Sequence, residues 1–176
     1  MLFNLRYIVG VKKKRKVENN TLIFSSSTTI MVLTNSWSTT IALDEEQNSV
    51  VVTQRKEIEA FRSSGKLPYR IEIVFPYKGD SLGMPLEEDA KSIGDIEEAL
   101  RPSMEKDKLA ILTGNYLGGN KKYWVFYTRN VDAFFDRLNE CLEEFPTYPL
   151  SFEVEEDPTW EEYSLMAELS SPSDDV

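Results

Sequence analysis

From Tyr69 onward, apolar side chains recur at every second position. Ile71, Ile73 and Phe75 share one face of a predicted strand, Tyr69 to Tyr77, with Arg70, Glu72 and Val74 on the other. That alternation follows from the two-residue period of extended backbone. Lys78 to Met84 reads as a loop with two glycines. Beyond it the period changes. Leu86, Ala90, Ile93, Ile96, Leu100 and Met104 recur at intervals of three and four residues, which is one stripe of a helix. Pro85 suits a first helical turn, where a missing N–H costs nothing. Glu87, Glu88 and Asp89 follow, and carboxylates there favour the positive end of the helix dipole. Gly94 weakens this helix modestly, and Pro102 is expected at its frayed end or just beyond it.

The pattern then repeats in a second half. Leu109 to Thr113 is a short apolar strand, and Gly114 to Lys122, with three glycines and two asparagines, reads as a hairpin loop. Tyr123 to Thr128 is a strand with aromatic residues on both faces. Asn130 is placed to cap a helix from Val131 to Phe145, with Val131, Phe134, Leu138, Cys141, Leu142 and Phe145 as its buried stripe. Pro146 and Pro149 end it, and Leu150, Phe152 and Val154 alternate with Ser151, Glu153 and Glu155 in a last strand. Strand, helix, strand, strand, helix, strand is the split βαβ arrangement, so Tyr69 to Glu155 is predicted to be a ferredoxin-like α+β unit. Each helix has one apolar stripe, so both are expected on the same face of an antiparallel sheet.

Flanking segments add to this unit. Trp37, Thr39, Ile41 and Leu43 share one face of a strand that a polar turn, Asp44 to Asn48, joins to the β-branched run Ser49 to Thr53, a predicted hairpin. Thr53 is expected to cap a short helix over Gln54 to Ser63, closed by Gly65 and Pro68. A C-terminal helix, Pro158 to Leu169, is expected to pack back through Trp160, Tyr163 and Leu165. This divides the chain into a poorly ordered basic extension (1–30), one α+β domain (31–169) and a disordered Ser/Pro/Asp-rich tail (170–176).

Charge and composition narrow the function. The chain carries a net −10. Residues 1–30 hold six basic side chains against Glu18 alone, a net +5, so residues 31–176 carry −15. A body this acidic repels phosphate backbones, so nucleic acid is not an expected partner; a basic protein is. The run Lys12 to Lys16 would serve for nuclear import in a eukaryotic cell; the chain otherwise reads as cytoplasmic, with no apolar run of membrane-spanning length. There is no histidine, which removes Ser-His-Asp and Cys-His catalysis and the usual zinc sites. Cys141 is the one cysteine and falls on an apolar stripe, as a small core residue does.

Several segments together resemble a known family. They are Gly65-Lys66-Leu67-Pro68-Tyr69-Arg70-Ile71, Gly83-Met84-Pro85, Ile96-Glu97, Thr113-Gly114, Trp124-Val125-Phe126-Tyr127-Thr128, and Asp157-Pro158-Thr159-Trp160-Glu161-Glu162-Tyr163. In this order and spacing they are similar to the largely bacterial domain-of-unknown-function 695 family, over about Trp37 to Leu169. The resemblance implies an interaction or regulatory setting, because some members are fused to a domain similar to the protein inhibitor of ribonuclease E. It implies no activity. Tyr116 to Gly119 makes the central hairpin longer than the family pattern.

No cluster points to a catalytic group, a metal or a cofactor. Glu153, Glu155, Glu156 and Asp157 read as divergent surface carboxylates, and Gly114, Gly118 and Gly119 lack the Gly-Lys-Ser/Thr ending of a phosphate loop. The aromatic strand carries more information. One set of its rings is buried by the helices; the other must be covered by flanking segments or left as a groove. Candidate ligand- or partner-binding residues are therefore Arg70, Trp124, Tyr127, Asp157 and Trp160. The leading expectation is a non-enzymatic, acidic protein-interaction or regulatory domain. The alternative is a small-molecule-binding module or an enzyme, with its site between the sheet and the C-terminal helix. Oligomeric state is left open.

Overall fold

Among the described residues six strands form one antiparallel sheet in the order β1-β2-β4-β5-β3-β6. They are β1 (Trp37–Leu43), β2 (Ser49–Arg55), β3 (Tyr69–Pro76), β4 (Ala110–Gly118), β5 (Lys121–Thr128) and β6 (Ser151–Glu156). Among the described residues four α-helices accompany them: α1 (Glu59–Ser63), α2 (Glu87–Glu105), α3 (Val131–Leu142) and α4 (Glu161–Leu169). The structure, a computed structural model, describes residues 31–170, so the readings of residues 1–30 as an extension and of 171–176 as a tail lie outside the described residues. Strands β3 to β6 with α2 and α3 form the ferredoxin-like βαββαβ unit, and the hairpin β1–β2 widens its sheet by pairing with β4.

Each face of the sheet has its own core. On one side Ile71, Ile73, Phe75, Leu112, Trp124 and Phe126 pack beneath α2 and α3 through Ile93, Ile96, Leu100, Met104, Phe134 and Leu138. The helices share one face, as their single stripes require. On the other side Val52, Ile111, Tyr116, Val125 and Tyr127 pack against Ile58, Phe61, Trp160, Tyr163 and Met166, so α1 and α4 cover the second face. Fully burying one such side chain stabilises by about 1.5–3 kcal/mol, and both faces contribute. Asn130 caps α3 by accepting a hydrogen bond from the Ala133 amide at 2.9 Å.

Several boundaries differ from the sequence pattern: α3 ends at Leu142 rather than Phe145, and α4 begins at Glu161 rather than Pro158 and buries Met166 while Leu165 stays exposed. The expected loop Gly114 to Lys122 is almost entirely strand: Thr53, Val52 and Val51 of β2 pair with Asn115, Tyr116 and Leu117, and the hairpin closes on Gly119 and Asn120, both with positive φ. Such a turn matches the twist of the strands it joins. Gly114 follows a bulge after Leu112 and admits close contact; a Cβ there would stand 2.4 Å from Met166 Sδ and 2.7 Å from the Thr53 carbonyl oxygen. The expected helix over Gln54 to Ser63 shrinks to Glu59–Ser63, and Thr53 stays in β2 with its hydroxyl 3.2 Å from that of Thr39. Arg55 holds β2 extended: it is buried, pairs with Glu105, and donates to the carbonyls of Thr34 and Leu112. Pro102 lies in the last turn of α2, the first of the two expected placements. Its ring removes one donor on the solvent side, where Glu98 and Pro102 are both exposed.

Gly114→Ala is expected to destabilise the fold by about 1–3 kcal/mol through overpacking against Met166 and Thr53. Gly94→Ala, on the exposed side of α2 with open space around it, is expected to stabilise by about 0.5–1 kcal/mol. Urea denaturation of both variants checks the pair.

Candidate functional site

Strand alternation turns Arg70 and Glu72 away from α2 and α3, toward α4. Arg70 stands opposite Tyr127 on β5 and Glu155 on β6; Glu72 stands opposite Val125 and Glu153. With strands on both sides and α4 above, Arg70 is 5% exposed and Glu72 2%. Four carboxylates share this one guanidinium: Nη2 lies 2.5 Å from Glu155 and 3.8 Å from Glu153, Nη1 3.5 Å from Glu162, and Nε 3.1 Å from Glu72. The Nε contact lacks the angle of a hydrogen bond, so that donor is held by charge alone. Glu153 and Glu155 are therefore not divergent surface carboxylates. They converge on Arg70, and each side chain stays about one third exposed at the rim.

Among the described residues the charges of this cluster do not balance. Fully ionised, the cluster would hold four negative charges against one positive. Burial, then repulsion from Glu162, pushes Glu72 up to about 7, against the opposing pull of Arg70. Burial also raises Glu162, although it accepts a 2.6 Å hydrogen bond from the Tyr116 hydroxyl. Among the described residues no group of acidic or thiol side chains is arranged to hold a metal ion.

Asp157 and Trp160 fasten α4 over this floor. Asp157 Oδ1 accepts from the Glu161 amide at 2.8 Å, and Oδ2 accepts from the Glu162 amide at 3.3 Å and from the Tyr127 hydroxyl at 2.6 Å. It thus satisfies two amides that a helix start leaves without partners. Burial, reinforced by that hydrogen bond, lifts the Tyr127 phenol well above its ordinary range. Trp160 adopts a left-handed conformation, φ 56° and ψ 51°, which turns the chain from β6 into α4. Such a residue costs about 1–2 kcal/mol. The ring offsets that strain by stacking on Tyr127 at 4.4 Å between centroids and donating Nε1–H to the Leu67 carbonyl at 2.9 Å. The Tyr163 hydroxyl donates to the Arg55 carbonyl and Gln54 donates to that of Tyr163, so α4 is tied to β2 as well.

The structure brings together four of the residues singled out in the sequence, Arg70, Tyr127, Asp157 and Trp160. The fifth, Trp124, lies on the opposite face beneath α2, fully buried, donating Nε1–H to Glu97 at 2.8 Å. The same carboxylate lies 3.3 Å from Lys122, whose ammonium pKa burial lowers. Stacked rings fill the space between sheet and α4, and the exposed part of the cluster is its β6 rim. Glu72, Tyr116 and Glu162 escaped the sequence reading. Glu162 had a signal: it lies four residues before Met166 and so shares the buried side of α4.

Fold and cluster define an α+β domain of ferredoxin-like topology whose second sheet face is closed by its own C-terminal helix. The model of DUF695, a family of unknown function, matches residues 35–166, from just before β1 into α4, and the chain belongs to that family. No curated protein and no solved structure matches it. Among the described residues no helix is long and apolar enough to cross a membrane.

Because Glu72 takes up a proton more readily in the fold than its ordinary value of 4.5 allows, its stabilising contribution is full below pH 4.5 and is lost as pH rises to about 7. At pH 8 the ionised side chain costs on the order of 3 kcal/mol. Glu72→Gln removes that titration. The unfolding free energy of the variant minus that of the parent is expected to rise by about 1–3 kcal/mol between pH 5 and pH 8. Parallel stability curves would contradict this.

Proposed function

We propose that the chain is a non-enzymatic interaction domain that binds a basic protein partner through the carboxylate-rich rim at β6. The observation that carries this reading is the surplus of carboxylates around Arg70, with Glu153 and Glu155 partly exposed beside buried Glu72 and Glu162. A Lys or Arg side chain arriving at the rim would meet several carboxylates where the surroundings are half desolvated, and there an ion pair is stronger than in open water. The acidic body would speed encounter with such a partner. The missing histidine and the family membership are compatible with a binding role.

Anisotropy of a labelled lysine-rich peptide titrated with the full chain, at low and high salt, tests this. Binding is expected at low salt and is expected to weaken steeply as salt screens the rim. Replacing Glu153 and Glu155 by Gln is expected to lower affinity by about tenfold, whereas Glu87 and Glu88 to Gln, at the start of α2, is expected to change it less than about threefold. Circular dichroism confirms that each variant is folded. Equal losses from both pairs, or no binding at low salt, would overturn the reading.

A further inference from the structure

We infer that β6 takes the partner as an added strand, an extended segment in which basic and apolar residues alternate. The inference rests on the acidic-rim reading and specifies how the partner is held. β6 is the last strand of the sheet: its inner edge pairs with β3 from Tyr69↔Glu156 to Val74↔Ser151, and among the described residues no strand lies along its outer side. Such an edge presents main-chain donors and acceptors at the spacing a further strand requires.

The two faces of β6 differ in chemistry. Toward α4 stand Glu153 and Glu155, the rim of the Arg70 cluster. Toward α3 stand Phe152 and Val154, 38% and 43% exposed, with the Phe152 ring edge-on to Phe135 at 5.3 Å. An added strand sends successive side chains to opposite faces, and its neighbours across the pairing lie roughly 4.5–5.5 Å away. Every second residue would therefore meet carboxylates, and those between would extend the apolar face over Phe152 and Val154. Lys or Arg alternating with Val, Leu or Phe fits both rows at once. The opposite edge, β1, offers no such code, because Trp37 to Leu43 contains no charged residue. A six-residue strand is a small interface, so binding in roughly the micromolar range is expected.

The test uses the full chain, labelled with nitrogen-15, and three synthetic peptides. One alternates lysine and valine, one has the same composition in two blocks, and one is the alternating peptide with N-methyl groups on every second amide. The alternating peptide is expected to bind about tenfold or more tighter than the block peptide, to shift and protect amides within Ser151–Glu156, and to lose that advantage on N-methylation. Equal, salt-sensitive binding of all three would overturn strand addition while leaving the acidic-rim reading standing. If none binds, or if the shifts map away from β6, both are overturned.

Discussion

Among the described residues the Arg70 guanidinium is the one buried cation of the second sheet face, and it contacts β6 and α4 from β3. A charge this deep is tolerable only when paired. Its partners come from Glu72 on its own strand, Glu153 and Glu155 on the edge strand, and Glu162 on the C-terminal helix. The same contacts that neutralise the arginine bring β6 and α4 onto β3. Because four carboxylates answer one cation, the arrangement also stores repulsion, most visibly in the raised affinity of Glu72 for a proton.

Around that pairing the second face is built as core rather than as a groove. Tyr127 and Trp160 stack, Asp157 caps α4 while accepting the Tyr127 hydroxyl, and Met166 presses onto Gly114. These contacts come from β4, β5 and α4 together, so removing the helix would expose aromatic surface and leave buried hydroxyls and carboxylates without partners. What the closure leaves outside is the β6 rim, half acidic and half apolar. The functional reading follows from that remainder.

The periodicities of Ile71, Ile73 and Phe75, of Ile93 to Met104, and of Phe134 and Leu138 made the βαββαβ unit legible, because those positions face a single core. The second face was less legible for a physical reason. Arg70, Glu72, Glu153 and Glu155 alternate as solvent-facing residues do, and nothing local in β3 or β6 reports that α4, far along the chain, comes to lie above them. Gly114 and Gly118 misled in a related way. They read as loop signals, yet each serves a close approach inside a long strand, to Met166 and Thr53 in one case and to the Ser49 carbonyl in the other. Aromatic residues on both faces of β5 indicate a two-sided core, but nothing local says which rings belong together or separates Trp124 from residues on the far side of the sheet.

Native-state hydrogen exchange tests the central claim, that the second face is sealed and α4 and β6 move with the sheet. The Ser164 amide, bonded to the Trp160 carbonyl, reports on α4, and the Asp157 amide, bonded to the Pro68 carbonyl, reports on the end of β6. Both are expected to exchange with opening free energies close to that of global unfolding, matching amides in β5. If the Ser164 amide exchanges through an opening far below the global value while β5 stays protected, α4 is a lid. The space beneath it, not the β6 rim, would then be the place to look for a ligand.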